Sequence, residues 1–168
     1  SYKTVNSDNP KLNCRLNGLE KFSPKILVLD RDLKINLNSF IVKNSKKNKT
    51  IIFHNSSNSL KINKLKKNGI KLINLKVEEN NLFDLKKVLK KIYQTGIYTL
   101  LVECGRILTY KMISKKLFNE FYLFKSNKKL NNRSKIKVSN IIDELNKKFK
   151  NKDLINTYLD KDTLMHYY

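Results

Sequence analysis

Several residue types are scarce in this 168-residue chain, and each scarcity narrows the possible class of protein. Of the two cysteines, Cys14 and Cys104, neither belongs to a CxxC pair or a histidine cluster, so a zinc site and a disulfide framework are both unsupported. No apolar run approaches the roughly 20 residues of a membrane-spanning helix. Glycine and proline number only four and two, and no linker rich in them divides the chain. We therefore expect one domain, residues 1–168, without a metal ion or a membrane segment, in a reducing cytoplasm.

Acidic residues are also few, 14 against 36 lysines and arginines, which gives a formal net charge of +22. An excess of this size invites the hypothesis of a nucleic-acid-binding module. The basic residues are mostly lysines scattered among Asn and Ile over the whole length, however, as A- and T-rich codons would produce. A nucleic-acid-binding module would also interleave its aromatic residues with arginines on one face, and here they fall mainly on apolar faces. We keep this module as the non-enzyme alternative and predict an anionic small molecule as the partner, with no nucleic acid.

Strand-like and helix-like segments alternate along most of the chain. Apolar or alternating runs predict strands at 25–30, 50–54, 70–75, 98–102 and 120–125. Apolar residues at helical spacing predict helices at 60–67, 82–93 and 107–117. This alternation predicts an α/β fold with a mostly parallel sheet flanked by helices.

The end of the chain has a different pattern. Residues 127–140 are polar and predict a loop, and residues 141–149 predict a short helix. Two apolar segments, 154–159 and 163–168, flank Asp160-Lys161-Asp162. This arrangement predicts a C-terminal antiparallel β-hairpin at an edge of the sheet.

The segment from Leu100 to Arg106, LLVECGR, leads from a predicted strand through a tight turn into a predicted helix. The first amides of a helix lack partners and carry the positive end of its dipole, which suits a phosphate, and Gly105 would let a ligand approach the backbone. A single glycine is a weak signal, and an ordinary strand-to-helix turn explains it equally well. Glu103 is a stronger candidate, because a carboxylate at the end of a buried strand carries a desolvation cost. Pairing with a nearby lysine is its alternative explanation.

A second segment, Thr4 to Arg15, has the pattern T-x-x-x-D-N-P-x-L-x-x-R. By itself, Asp8-Asn9-Pro10 predicts a turn. The whole pattern resembles a hallmark of the reductase family of riboflavin biosynthesis, the C-terminal half of a bifunctional deaminase–reductase.

Three further segments resemble landmarks of that family in the same order and at similar separations. They are the strand ending VLDR at 28–31, the turn VECG at 102–105 and LFNE at 117–120. The family usually has VEGG or VEAG in the turn, and L-x-D-E where this chain has Asn119. If the turn required a positive φ at Cys104, its Cβ would cost about 1–2 kcal/mol. The resemblance covers nearly the whole chain.

The resemblance implies a dihydrofolate-reductase-like fold whose first strand and helix are missing before Thr4. It implies NADPH as the cofactor and 5-amino-6-(5-phosphoribosylamino)uracil as the substrate, whose ribosyl group is reduced to the ribitylamino product. A fused N-terminal deaminase domain and a homodimer are partners that it leaves open. Another pterin- or folate-type NADPH reductase of the same fold is the alternative enzyme.

The resemblance also implies roles for particular residues. Asp8 and Glu103 are the catalytic candidates, with Asp8 expected mainly to orient ligands and Glu103 to hold the open-chain sugar. Lys11 and Arg15 would join Glu103 in binding the substrate, and Arg15 suits bidentate binding of its phosphate. Thr4, Asp8 and Arg31 would contact the cofactor, Arg31 at the adenosine 2′-phosphate. The cofactor pyrophosphate would lie against Gly105, Arg106, Ile107, Leu108, Thr109, Tyr110 and Lys111.

Overall fold

The computed structural model describes residues 1–128, 139–156 and 161–168. These residues form two compact units, Ser1–Cys104 and Gly105–Tyr168, and each is described by itself. In the described ranges, no helix is long and apolar enough to cross a membrane.

The first unit contains three parallel strands and five helices. Its elements are α1 (Tyr2–Asp8), β1 (Leu27–Leu29), α2 (Phe40–Lys43), α3 (Ser45–Asn48), β2 (Ile51–His54), α4 (Ser59–Lys67), β3 (Lys71–Asn74) and α5 (Leu85–Tyr93). One 3-10 turn, Glu20–Phe22, precedes β1.

The strands of the first unit lie in the order β1-β2-β3, with β2 in the middle. Leu27 pairs with Ile51, and Ile51 in turn pairs with Lys71. Every residue of β2 is buried, because helices and loops cover both faces of a parallel sheet. Ile52 belongs to the core on one face and Phe53 to the core on the other. The continuous apolar run IIF is thus explained by burial on two sides.

The two longer helices of this unit begin at side-chain caps. The side chain of Asn58 accepts a hydrogen bond from the Lys61 amide at the start of α4, and that of Asp84 accepts one from the Lys86 amide at the start of α5. Such caps satisfy helix amides that lack an intrahelical partner. Gly69 and Gly96 follow the two helices with φ values of 84° and 77°, the left-handed conformation in which helices commonly end.

The second unit contains α6 (Arg106–Ser114), β4 (Phe121–Lys125), α7 (Ser139–Lys148), β5 (Lys152–Ile155) and β6 (Thr163–Tyr167). Its strands form an antiparallel sheet in the order β4-β6-β5. Ile113 from α6 and Leu145 from α7 are buried in a core cluster with Tyr167 from β6. The two helices therefore share a core with one face of this sheet.

The predicted α/β fold with a parallel sheet, flanking helices and a C-terminal antiparallel hairpin is confirmed. Two details differ from the sequence-based expectation. The hairpin strands β5 and β6 pair with each other, and β6 also pairs with β4, in a sheet separate from β1-β2-β3. The strand predicted at 98–102 does not form. An apolar run favours burial, but a strand also needs a neighbouring strand to hydrogen-bond with, and the local sequence does not determine whether there is one. Residues 129–138 of the predicted loop and 157–159 of the first hairpin segment lie outside the described residues.

Candidate functional site

The carboxyl edge of the parallel sheet is organised around Asp30, the residue after β1. Its side chain is fully buried, and its two carboxylate oxygens accept hydrogen bonds from the backbone amides of Lys34 at 2.8 Å and Ile35 at 2.7 Å. Burial raises the pKa of the Asp30 carboxyl, and these two hydrogen bonds oppose the rise. The carboxylate thereby fixes the loop that follows β1, in which Leu33 adopts a φ of 56°.

His54 ends the neighbouring strand β2 at the same edge. It is 5% exposed, and its Nδ1 accepts a hydrogen bond from the Ser56 amide at 3.2 Å. Burial lowers the pKa of the His54 imidazole, and the charge of Asp30 raises it in part. Two buried titratable groups therefore sit side by side where open α/β sheets place their ligands.

Arg31, the predicted contact of the adenosine 2′-phosphate, lies at this edge and is already engaged. Its Nε and one Nη donate to the two carboxylate oxygens of Asp32 at 2.7 and 2.9 Å, and the other Nη donates to the Asn81 carbonyl at 2.6 Å. The guanidinium holds the pKa of the Asp32 carboxyl below its ordinary value. A guanidinium has five N–H donors, so two remain for a further acceptor.

Helix α1 carries Thr4 and Asp8. Two asparagines of the same motif attach this helix to the loop after β1 and to the start of α2. Asn6 donates to the Lys34 carbonyl at 3.0 Å and accepts from the Asn36 amide at 2.8 Å. Asn9, with a φ of 44°, accepts from the Phe40 amide at 2.7 Å. The helix is therefore anchored to the loop that Asp30 organises. Sequence reasoning missed these anchors, although both asparagines lie inside the recognised motif.

The predicted ligand residues on and after α1 are accessible. Asp8 is exposed at the end of the helix and accepts a hydrogen bond from the Ser7 hydroxyl at 2.6 Å, whereas Thr4 is half-buried. Lys11 is exposed, with its Nζ 5.9 Å from the centre of the Phe40 ring. Arg15 is exposed as well. The exposed side chains of Lys11 and Arg15 are available to an anionic ligand.

Glu103 has a different environment from the one that the sequence predicted. It lies outside any strand and its side chain is exposed, so the argument from the desolvation of a buried carboxylate does not apply to it. Cys104 does not adopt a positive φ, and the predicted backbone cost of its Cβ is therefore not incurred.

In the second unit, Gly105 is the N-cap of α6, with φ −72° and ψ 166°. Any residue can adopt this conformation, and a Cβ added at Gly105 would meet no atom within 4 Å. The next two amides, those of Arg106 and Ile107, lack an intrahelical acceptor by helix geometry. The remaining predicted pyrophosphate contacts follow along α6: Leu108, Thr109 and Lys111 are half-buried, and Tyr110 is exposed.

A family model described as the RibD C-terminal domain matches residues 1–130. The chain belongs to the RibD C-terminal domain family. The matched range includes every predicted site residue in both units. In the described residues, no group of three or more His, Cys, Asp and Glu side chains could hold a metal ion.

Two curated relatives are similar over 121 residues, or 72% of this chain. Both are named riboflavin biosynthesis protein RibD; the one from Actinobacillus pleuropneumoniae is 28% identical and the one from Aquifex aeolicus is 31% identical. The aligned part covers 31% and 32% of these relatives, so the chain corresponds to about a third of their length.

The crystal structure of a pyrimidine reductase-like protein from Corynebacterium diphtheriae has a similar fold. The TM-score is 0.70 and the sequence identity 13%, over 98% of this chain and 72% of that one. At this identity the likeness concerns the fold alone, and it confirms the dihydrofolate-reductase-like architecture.

Proposed function

We propose that this chain is a reductase domain of riboflavin biosynthesis that uses NADPH to reduce the ribosyl group of 5-amino-6-(5-phosphoribosylamino)uracil. The observation that carries the proposal is the family match over residues 1–130. The names of the two RibD relatives and of the pyrimidine reductase-like structure support the same reaction class. A fused deaminase domain and a homodimer are part of this proposal, since they concern the whole protein.

The residues present fit a dinucleotide phosphate at two positions. Gly105 has open space where a side chain would otherwise stand, and the amides that follow it face no acceptor of their own helix. Arg31 keeps two N–H donors beyond those given to Asp32 and Asn81. NADPH, when bound, supplies the hydride, and Arg31, Thr4 and Gly105 to Lys111 would hold it.

The substrate side of the proposal rests on exposed charges of both signs. Arg15 and Lys11 would bind the substrate phosphate, because a guanidinium and an ammonium form charge-assisted hydrogen bonds with it. Glu103 would accept hydrogen bonds from the sugar hydroxyls or the uracil. Asp8 would orient ligands, and a water held by Asp8 would deliver the proton to the new alkoxide. The exposure of Asp8 and Glu103 leaves both carboxylates available for these contacts.

Steady-state kinetics of the full-length protein tests the substrate assignment. We expect Arg15→Ala to raise KM for the phosphorylated substrate by about tenfold or more and to have little effect on a dephosphorylated analogue. Glu103→Gln should weaken substrate binding more than NADPH binding, whereas Asp8→Asn should retain appreciable kcat. Equal losses on both substrates would make Arg15 structural. Reduction of a dihydropteridine in place of the pyrimidine would favour the alternative reductase.

Binding of NADPH and NADH tests the cofactor assignment. Arg31→Ala should weaken NADPH binding and leave NADH binding nearly unchanged, because only NADPH carries the 2′-phosphate. Lys34→Ala is the matched control, since the Lys34 ammonium also pairs with Asp32, at 3.4 Å, and the substitution removes the same charge. If wild type binds both cofactors equally, or if the control has the same effect as Arg31→Ala, the role of Arg31 is wrong.

A further inference from the structure

The opposite edge of the parallel sheet contains a pocket of about 280 Å³ that the proposed reaction does not use. Thr50 and Lys71 stand at the amino-terminal ends of β2 and β3, and Lys25 stands shortly before β1. Ligands of open α/β sheets bind at the carboxyl ends of the strands. This cavity, which we call the lysine pocket, is therefore at the other end of the strands from Asp30 and Arg31.

Four lysines line the pocket: Lys25, Lys46, Lys49 and Lys71. No acidic residue is among its lining residues, and the ion pairs in the described part of the chain involve none of these four ammonium groups. Like charges gathered around a cavity repel one another and raise the local concentration of anions. The four side chains come from three separate stretches of sequence, so the fold itself brings them together.

Two of the residues that line the pocket behind the lysines are buried and hydrogen-bonded. Ser45 and Thr50 are almost completely buried, and their hydroxyls donate to the carbonyls of Asn68 and Ile41. Gly69 has a φ of 84°, and a Cβ there would lie only 2.6 Å from Cγ of Lys46. The side chain of Lys46 therefore passes so close to the backbone of residue 69 that only glycine leaves room for it. The Lys46 side chain is thus packed against the backbone of Gly69.

We propose that the lysine pocket binds a compact, multiply charged phosphate compound, such as a pyrophosphate group. Lysine binds phosphate as a point charge, and four lysines match an anion with several negative charges. The cavity is slightly smaller than the roughly 300–1,000 Å³ of ordinary ligand pockets, which favours a small anion over a whole dinucleotide. This binding site is independent of the reductase site.

Titration of the full-length protein with inorganic pyrophosphate, monitored by calorimetry, tests the proposal. Lys46→Gln/Lys71→Gln should weaken binding by at least about tenfold. Lys86→Gln/Lys90→Gln is the control, because it removes the same charge from exposed positions of α5. The control should bind pyrophosphate nearly as wild type does. Inorganic phosphate, with fewer charges, should bind more weakly than pyrophosphate.

Three outcomes would overturn the proposal. Equal weakening in the two double variants would mean that only the general positive field attracts the anion. Absence of saturable binding by wild type at millimolar pyrophosphate would mean that there is no site. Binding of single-stranded RNA that depends on Lys46 and Lys71, without pyrophosphate binding, would make the surface a nucleic-acid contact instead. Unchanged circular dichroism and thermal unfolding of both double variants would exclude misfolding as the cause of any loss.

Discussion

The two ends of the parallel sheet differ in whether their charged side chains have partners. At the carboxyl edge, the carboxylate of Asp30 is fully buried and binds two backbone amides, and Arg31 is paired with Asp32. At the amino edge, the four lysines of the lysine pocket surround a cavity without an acidic lining residue. The same three strands thus end in compensated charge on one side and uncompensated charge on the other.

The charged groups at the two edges therefore have different roles. Paired charges at the carboxyl edge fix a loop conformation, whereas unpaired lysines at the amino edge can bind an anion. A buried charge must be compensated inside the protein, because its desolvation is costly, and the compensation at Asp30 fixes the loop to which α1 is anchored. Exposed lysines are solvated and need no partner to be tolerated. Because no acidic residue lines the pocket, the lysine ammonium groups are available to an external anion. Substitutions should therefore cost stability at the carboxyl edge and anion affinity at the amino edge.

The largest expected effect is that of Asp30→Ala on the free energy of unfolding. The substitution removes the acceptor of two amides, and each amide left unsatisfied costs about 1–3 kcal/mol, so we expect a loss of about 2–6 kcal/mol in urea denaturation. Asp32→Ala, which removes an exposed ion pair, should have a much smaller effect. Comparable losses in the two variants would remove the distinction between buried and exposed charge.

Much of this fold could be predicted from the sequence, because its elements follow from local patterns. The runs KILVLD and TIIFH contain β1 and β2, since fully buried strands are apolar on both faces. Helix α5 is an amphipathic stretch that buries Leu85, Val88 and Ile92. The predicted start of this helix at residue 82 was three residues early, because Asp84 caps it. The motifs for α1 and the 102–105 turn depended on resemblance to a family.

The remainder depends on contacts between distant residues. Nothing local distinguishes TLLV at 99–102, which forms no strand, from runs that do. The short helices α2 and α3 were not predicted, and they lack the apolar periodicity of a longer helix. The pairing of Arg31 with its neighbour Asp32, and the convergence of Lys25, Lys46 and Lys71 on one cavity, appear only in three dimensions. The charge environment of the candidate site residues therefore could not be predicted from local sequence.

The next effect concerns the wall of the lysine pocket. Gly69→Ala should lower the free energy of unfolding by about 1–2 kcal/mol, because alanine is strained at a positive φ and its Cβ would also meet Lys46. Gly96→Ala is the matched control, since Gly96 also follows a helix at a positive φ but has open space around it. A larger loss at Gly69 would measure the close approach of Lys46. Equal losses would show that backbone strain alone accounts for the cost.

The smallest effect is a pH dependence at the carboxyl edge, where the two buried groups should act in opposite directions. Because burial lowers the pKa of His54, its contribution to stability is present above the ordinary value of about 6.5 and is lost as the pH falls through the folded-state pKa. Because burial raises the pKa of Asp30, its contribution is present below about 3.9 and is lost as the pH rises through the folded-state pKa.

His54→Asn and Asp30→Asn separate these contributions, because each removes one titration and keeps a side-chain oxygen as an acceptor for a backbone amide. Urea denaturation from about pH 4 to pH 8 gives the unfolding free energy of each protein. The stability of wild type relative to His54→Asn should decrease toward low pH, whereas its stability relative to Asp30→Asn should decrease toward high pH. The double variant should show neither slope. If both differences were flat, neither group would be perturbed by burial, and the carboxyl edge would be as open to solvent as the amino edge.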